Sequence, residues 1–151
     1  MQIESLLTLS RTRCDVDASG KRGALETLAG IIAADIPSID ADDLLRRFLA
    51  RERLGSTGIG HGIAIPHCRV SSCDKAIGAL ITLTQPIAYE SIDGEPIDIL
   101  FAMLVPDGAH DEHLKNLAAL AGVMNNSAFR QHLRDAKDNT ALYEAAVGSQ
   151  A

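Results

Sequence analysis

Apolar residues recur at helical spacing in two segments of the N-terminal third of the chain. Residues 21–34 carry leucine and isoleucine about one turn apart, which predicts a first helix. A second helix is predicted to begin after Asp40, whose carboxylate can cap it, and to stop near Gly55. The apolar stripe of this second helix consists of Leu44, Leu45, Phe48 and Leu49. Both helices precede the segments that read as strands.

Two later segments are almost continuously apolar and predict strands. The first spans residues 76–83 and is bounded by Pro86. The second spans residues 97–105 and ends at Pro106-Asp107-Gly108, a turn signal. A strand with almost no polar residues suits a sheet that helices cover on both faces.

Three further helices are predicted at residues 111–124, 127–137 and 140–147. The mixed order of helices and strands favours an α/β fold, specifically a three-layer sandwich in which helices cover both faces of a mixed β-sheet. No internal repeat, low-complexity stretch or linker interrupts the pattern, so we expect a single domain over residues 1–151.

Composition narrows the possible partners and the compartment. A net charge of −6 and an aromatic content of 3% argue against a nucleic acid as partner. No apolar run approaches the roughly 18 residues of a membrane span, and the N-terminal residues do not resemble a signal peptide. Cys14, Cys68 and Cys73 lack the spacing of a disulfide framework, which indicates reduced thiols. We therefore expect a cytoplasmic protein with no membrane insertion.

The stretch between the second helix and the strands is rich in glycine. Four glycines and two hydroxyl residues occupy residues 55–62. Such a loop lets backbone and hydroxyl donors approach an anion closely. It is not a Walker A loop, because no Lys-Ser or Lys-Thr follows the glycines, and it lacks the third glycine of a dinucleotide fingerprint. A turn-rich connector is the alternative interpretation.

Two histidines are expected near the same edge of the sheet. Ile63 and Ile65 alternate as in a short buried strand, which should end at Pro66 because proline cannot donate to a ladder. His67 is then expected where a strand leaves the sheet, the place where open α/β folds bind ligands. The strand at residues 97–105 repeats this layout ahead of His113, so parallel strands would bring the two rings to one edge.

An ordinary histidine at the margin of the core is the alternative for His113. It shares a helical face with Leu117, Leu120 and Met124.

Residues 55–67, Gly-Ser-Thr-Gly-Ile-Gly-His-Gly-Ile-Ala-Ile-Pro-His, resemble the active-site segment of the mannitol/fructose-class EIIA domains of the phosphotransferase system. The nitrogen-regulatory EIIA proteins are the subtype that they resemble most. The similarity continues at residues 21–26, Arg51, residues 85–87, residues 96–106 and His113-Leu114. The chain departs from the family in having Cys68 in place of the usual Gly and His61 where Asn is common.

This resemblance implies a phosphoryl carrier without a metal or other cofactor. In the family, the residue that matches His67 accepts a phosphoryl group from the phosphohistidine of an HPr-like carrier (NPr), and the residues that match Arg51 and His113 line the site. The hydroxyls of Ser56 and Thr57 and nearby N–H groups such as that of Gly58 are expected to hold phosphate oxygens. Nitrogen-type proteins act on regulatory targets, such as kinases or transporters, according to their phosphorylation state.

Three alternatives remain open at this point. The ligand-type residues His61, His67, Cys68 and Cys73 lie close in sequence, but their spacing matches none of the usual zinc patterns. An interaction module that is never phosphorylated is the second alternative. The third is a sugar-transport EIIA of the fructose/mannitol class that works with separately encoded membrane domains.

Overall fold

The computed structural model describes residues 2–108 and 110–148. Two 3₁₀ turns, Ile3–Ser5 and Leu9–Arg11, open the chain. The strands are β1 (Thr12–Val16), β2 (Gly58–Gly60), β3 (Ile63–Ala64), β4 (His67–Val70), β5 (Ile77–Ile87) and β6 (Ile97–Pro106). The helices are α1 (Lys21–Asp35), α2 (Ala41–Arg53), α3 (His110–Met124), α4 (Ser127–Asp135) and α5 (Asn139–Gly148). None of the described helices is long and apolar enough to cross a membrane.

The six strands of the described residues form one mixed sheet with β6 near its centre. The strand order is β1-β5-β6-β3-β2, and β4 pairs with β6 beyond the end of β3. β5 runs antiparallel to β6, whereas β3 and β4 both run parallel to it. β1 pairs in parallel with β5 and β2 antiparallel with β3, so these two strands are the edges.

Helices cover both faces of this sheet, and each face has its own core. Alternate residues of β6 enter opposite cores because side chains alternate along a strand. Leu100, Ala102 and Leu104 pack with α1 and α2, while Ile99, Phe101 and Met103 pack with α3, α4 and α5. Every one of these six side chains is fully buried. The predicted three-layer α/β sandwich is confirmed.

The helix predictions agree with the structure to within two residues at each end. Asp40 caps α2 as expected, since its carboxylate accepts a hydrogen bond from the Asp43 N–H at 2.9 Å. Helix α2 ends at Arg53, two residues before Gly55, whose φ of +149° suits glycine. Helix α4 ends at Asp135, slightly earlier than predicted.

The prediction that Pro86 bounds the first long strand is wrong. β5 continues to Ile87, and its register with β6 shifts between Thr82 and Ile87, which pair with Ile99 and Ile97. Pro86 lies in this irregular stretch and is exposed, so its missing N–H breaks no ladder bond. β1, β2 and β4 were not predicted.

The expected end of a strand at Pro66 is only half right. β3 ends at Ala64, but the Pro66 carbonyl accepts a hydrogen bond from the Met103 N–H at 2.8 Å. Pairing with β6 resumes at once, with His67 opposite Met103. His67 therefore opens β4 instead of following the last residue of a strand, because proline removes a donor and keeps its acceptor.

Candidate functional site

His67 and His113 lie side by side although 46 positions separate them in the sequence. β4 runs parallel to β6, and α3 begins four residues after β6 ends, so the fourth residue of α3 returns to the start of β4. The two ring centroids are 5.6 Å apart, and the ring planes are inclined by 51°. The strands are parallel, and the expectation that they would then bring the His67 and His113 rings to one edge of the sheet is confirmed.

The hydrogen bonds of His67 define which ring nitrogen can react. Nδ1 lies 2.8 Å from the Ile65 carbonyl oxygen, which can only accept, so we assign the proton to Nδ1. Nε2 accepts from Arg51 Nε at 3.3 Å. The arrangement selects the neutral tautomer with its lone pair on Nε2.

The surroundings of His67 favour this neutral form. Burial is the largest effect and lowers the pKa of His67 below its usual value, and the positive charge of Arg51 lowers it further. The hydrogen bond to Ile65 and the negative charge of Glu52 act in the opposite direction without reversing the shift. The lowered pKa keeps the ring mainly neutral at neutral pH, which is the protonation state that a histidine nucleophile requires.

Arg51 is held at two points of its guanidinium group. The residue lies in the last turn of α2, where Nε donates to His67 and Nη1 donates to the Gly55 carbonyl at 2.8 Å. A planar guanidinium can make both contacts at fixed angles, which a lysine ammonium cannot do. Arg51 is thus oriented toward the ring nitrogen that carries the lone pair.

His113 combines the two roles considered for it. Its side chain is buried at 9% exposure, and Leu120 and Met124 on the same helix are buried in the core below α3. Its ring also borders His67, one turn into α3, near the N–H groups at the start of the helix that favour an anion. His113 is a histidine at the margin of the core that also faces the site.

These residues share a cleft of about 420 Å³. The cleft is lined by Ala50, Arg51, Leu54, His67, Cys68, Arg69 and His113. Leu54 is 84% exposed, and Leu114 in the first half of α3 is 64% exposed. Arg69 was not predicted, although its position two residues after His67 on one strand places both side chains on the same face. The cleft brings together the unprotonated Nε2 of His67, two arginines and an apolar surface.

The predicted phosphate-binding donors of the glycine-rich loop have other partners. Ser56 Oγ donates to the Tyr89 carbonyl at 3.1 Å and accepts from the Gly58 N–H at 3.1 Å. Thr57 is buried, and both its N–H and its hydroxyl donate to Glu52. Phosphate binding by Ser56, Thr57 and Gly58 stays a prediction, and it would require these donors to exchange their present partners.

The residues considered for a metal site do not assemble. Among residues 2–108 and 110–148, no group of three His, Cys, Asp or Glu side chains is placed to hold a metal ion. Burial raises the pKa of the Cys68 thiol to about 12 and also raises that of Cys73. Both shifts disfavour the thiolate form that binds metals.

Comparison with known proteins identifies the family. Residues 5–146 match the family described as phosphoenolpyruvate-dependent sugar phosphotransferase system, EIIA 2. The chain belongs to this EIIA type 2 family. The resemblance of the glycine-rich segment and its Pro-His pair to these domains is thereby confirmed.

Individual relatives of this EIIA chain are nitrogen regulatory proteins. The protein of Pseudomonas aeruginosa is 40% identical over 150 residues, which cover 99% of this chain and 97% of the relative. That of Escherichia coli K12 is 36% identical over 145 residues, covering 95% and 88%. The crystal structure of nitrogen regulatory protein IIA-Ntr from Neisseria meningitidis superposes with a TM-score of 0.88 at 32% identity, covering 95% of this chain and 98% of that one.

Proposed function

We propose that this EIIA chain is a cytoplasmic phosphoryl carrier of the nitrogen-regulatory phosphotransferase system and that His67 Nε2 accepts the phosphoryl group. The observation that carries the proposal is the pair of hydrogen bonds on the ring, which keep the proton on Nδ1 and leave the lone pair on Nε2 beside Arg51. The family and the nitrogen regulatory relatives support the same reaction.

The donor is the phosphohistidine of an HPr-like carrier such as NPr. Nε2 of His67 attacks the phosphorus in line, a new N–P bond forms, and the electron pair of the broken N–P bond returns to the donor imidazole. The proton on Nδ1 stays in place, where the Ile65 carbonyl stabilises the positive charge that the ring acquires. No external base is required, because the attacking nitrogen has no proton to lose.

Arg51 and His113 stabilise the transferred group. Arg51 can exchange its contact with Nε2 for the phosphoryl oxygens without leaving the Gly55 carbonyl, so the charge that develops is met by a fixed guanidinium. The ring of His113 contacts the ring of His67 and lies near the start of α3. The exposed Leu54 beside them suits an apolar contact with the carrier protein.

Phosphorylation would also change what the cleft can bind. A phosphoryl group adds nearly two negative charges inside the cleft. A regulatory target, such as a kinase or a transporter, that fits the unphosphorylated cleft would then meet repulsion and the cost of removing water from the dianion. We expect affinities of the two forms to differ by about 1–3 kcal/mol, with the fold unchanged.

The acceptor assignment is tested by labelling with the phosphorylated carrier. His67→Ala should abolish acid-labile, base-stable labelling, whereas His61→Ala, which removes an exposed histidine, should keep it. Undiminished labelling of the His67→Ala protein would refute the assignment.

The switch is tested separately, by calorimetry of phosphorylated and unphosphorylated protein against a captured regulatory partner at matched salt. Different affinities are expected. Equal affinities for every partner would leave only a relay role between carriers.

A further inference from the structure

Glu52 carries a buried carboxylate immediately after Arg51 in α2. Its side chain is 5% exposed, yet it accepts hydrogen bonds from three other residues. Lys21 Nζ donates at 3.1 Å, the Thr57 N–H at 3.1 Å and the Tyr89 hydroxyl at 3.1 Å. The Thr57 hydroxyl contacts the same carboxylate. We call Glu52 with Lys21, Thr57 and Tyr89 the carboxylate clamp.

The carboxylate clamp joins four separate segments of the chain. Lys21 begins α1, Glu52 lies in the last turn of α2, Thr57 belongs to the glycine-rich loop, and Tyr89 follows β5. The ammonium group of Lys21 lies 4.6 Å from the centre of the Tyr89 ring, and Tyr89 is itself 1% exposed. The Glu52 end of this ion pair is buried, while the Lys21 side chain is 20% exposed. Burying a charge is a costly way to hold a fold together, since apolar residues of similar size often serve as well.

A series of hydrogen bonds links the carboxylate clamp to Nε2 of His67. The Glu52 carboxylate reaches forward to the Thr57 N–H and so closes residues 52–57 into a short ring. The Gly55 carbonyl, which holds Arg51 Nη1, lies within this ring. Arg51 in turn donates to His67 Nε2. Any loosening of residues 52–57 would therefore release one of the two anchors of Arg51.

We propose that Glu52 is a positioning residue of the phosphoryl site, whose carboxylate holds the glycine-rich loop so that Arg51 stays oriented on His67. This rests on the proposed function only for its kinetic consequence. It assigns roles to Lys21 and to the Thr57 hydroxyl, neither of which touches the phosphoryl cleft. The Thr57 hydroxyl then binds the Glu52 carboxylate instead of a phosphate oxygen.

Glu52→Gln tests the proposal with little change in size. The amide can still accept from the Thr57 N–H but loses the charge that pairs with Lys21. The rate constant of phosphoryl transfer at saturating carrier should fall about tenfold, whereas the KM for the carrier should change less, because the substitution loosens residues 52–57 without removing the exposed Leu54 side chain. Glu90→Gln is the matched control, since it removes the 89%-exposed second carboxylate partner of Lys21 and should leave both constants unchanged.

A second readout needs no phosphoryl donor. In the unphosphorylated protein, ring-nitrogen NMR of His67 should show a single tautomer protonated on Nδ1, and Glu52→Gln should introduce the other tautomer as Arg51 loosens. A tautomer change in a protein whose wild type accepts no phosphoryl group would support the positioning role and refute the proposed function. Conversely, a fully phosphorylated wild type with an unaffected variant would refute the positioning role alone.

Tyr89→Phe provides a milder variant in case Glu52→Gln fails to fold. It removes one donor to the carboxylate and keeps the ring under Lys21. Transfer should slow by about two- to fivefold, with the KM for the carrier unchanged. If a folded variant has the wild-type rate and the wild-type tautomer, the carboxylate clamp only stabilises the fold and the proposal is wrong.

Discussion

Replacing Arg51 by lysine separates its geometry from its charge. Arg51 makes two directed contacts at once, 3.3 Å from Nε to His67 Nε2 and 2.8 Å from Nη1 to the Gly55 carbonyl. A lysine keeps the positive charge but has a single ammonium group, which can satisfy only one of these directions. The protein should fold normally, because the Arg51 side chain lines the cleft and belongs to neither core.

The expected decrease in the transfer rate follows from the hydrogen bond that is lost. A hydrogen bond that involves a charged group contributes about 1.5–3 kcal/mol. If the lysine variant loses one such contact in the transition state, phosphoryl transfer slows by at least about tenfold, since ~1.4 kcal/mol corresponds to a factor of ten.

Stopped-flow or quenched-flow transfer from the phosphorylated carrier measures this effect. Arg53→Lys is the matched control, because Arg53 belongs to the same helical turn, is exposed and does not line the His67 cleft. A wild-type transfer rate in the Arg51→Lys protein would show that the guanidinium geometry plays no part in transfer. Equally slow phosphoryl transfer in both variants would show that any change at the end of α2 has this effect.

Three further predictions concern the ring, the loop and the thiol. An NMR titration should show that the pKa of His67 lies below the usual 6.5. The Arg51→Gln substitution should raise this pKa, because it removes a positive charge beside the ring. A wild-type pKa of 6.5 or above would contradict the prediction. Because the unfolded chain then binds the proton first, His67 should also make unfolding easier as pH falls through this range. Gly62→Ala should lower the free energy of unfolding by about 1–3 kcal/mol in urea denaturation, since φ is +80° and the new Cβ would lie 2.5 Å from Arg134 Nη2; an unchanged midpoint would show that the loop adapts freely. Cys68 should react with thiol reagents more slowly in the native than in the unfolded protein, because it is partly buried and this burial raises its pKa to about 12; equal rates would contradict the raised pKa.

Periodicity and capping predicted the helices well because both are local signals. The Asp40 carboxylate and the apolar stripe that includes Phe48 act within one or two turns of α2, so neighbouring residues suffice to place the helix. The strands were harder to predict, because their formation depends on pairing with segments that are distant in the sequence. β1 has the sequence Thr-Arg-Cys-Asp-Val and pairs with β5 at the end of the strand order, and an edge strand with two charged residues carries little apolar signal. Pro86 misled the prediction because proline is tolerated where the register shifts.

The site was predictable as far as the motif reached. Arg51, His67 and His113 come together as the sequence resemblance implies, because β4 and β6 are parallel and α2 ends beside β4. The carboxylate clamp was not predicted. Glu52 follows Phe48 by one helical turn and so lies on the buried face of α2, which is a local sign of a buried charge. Its partner Tyr89 is 37 residues away, and no sequence pattern connects the two.

Ring-nitrogen NMR of the phosphorylated protein determines whether Nε2 of His67 accepts the phosphoryl group. Coupling between phosphorus and a histidine ring nitrogen identifies both the residue and the atom. The hydrogen bond from Nδ1 to the Ile65 carbonyl predicts coupling to Nε2 of His67, with the proton retained on Nδ1. Coupling to Nδ1 of His67, coupling to a ring nitrogen of His113, or no incorporation from the phosphorylated carrier would refute the assignment of His67 Nε2 as the acceptor.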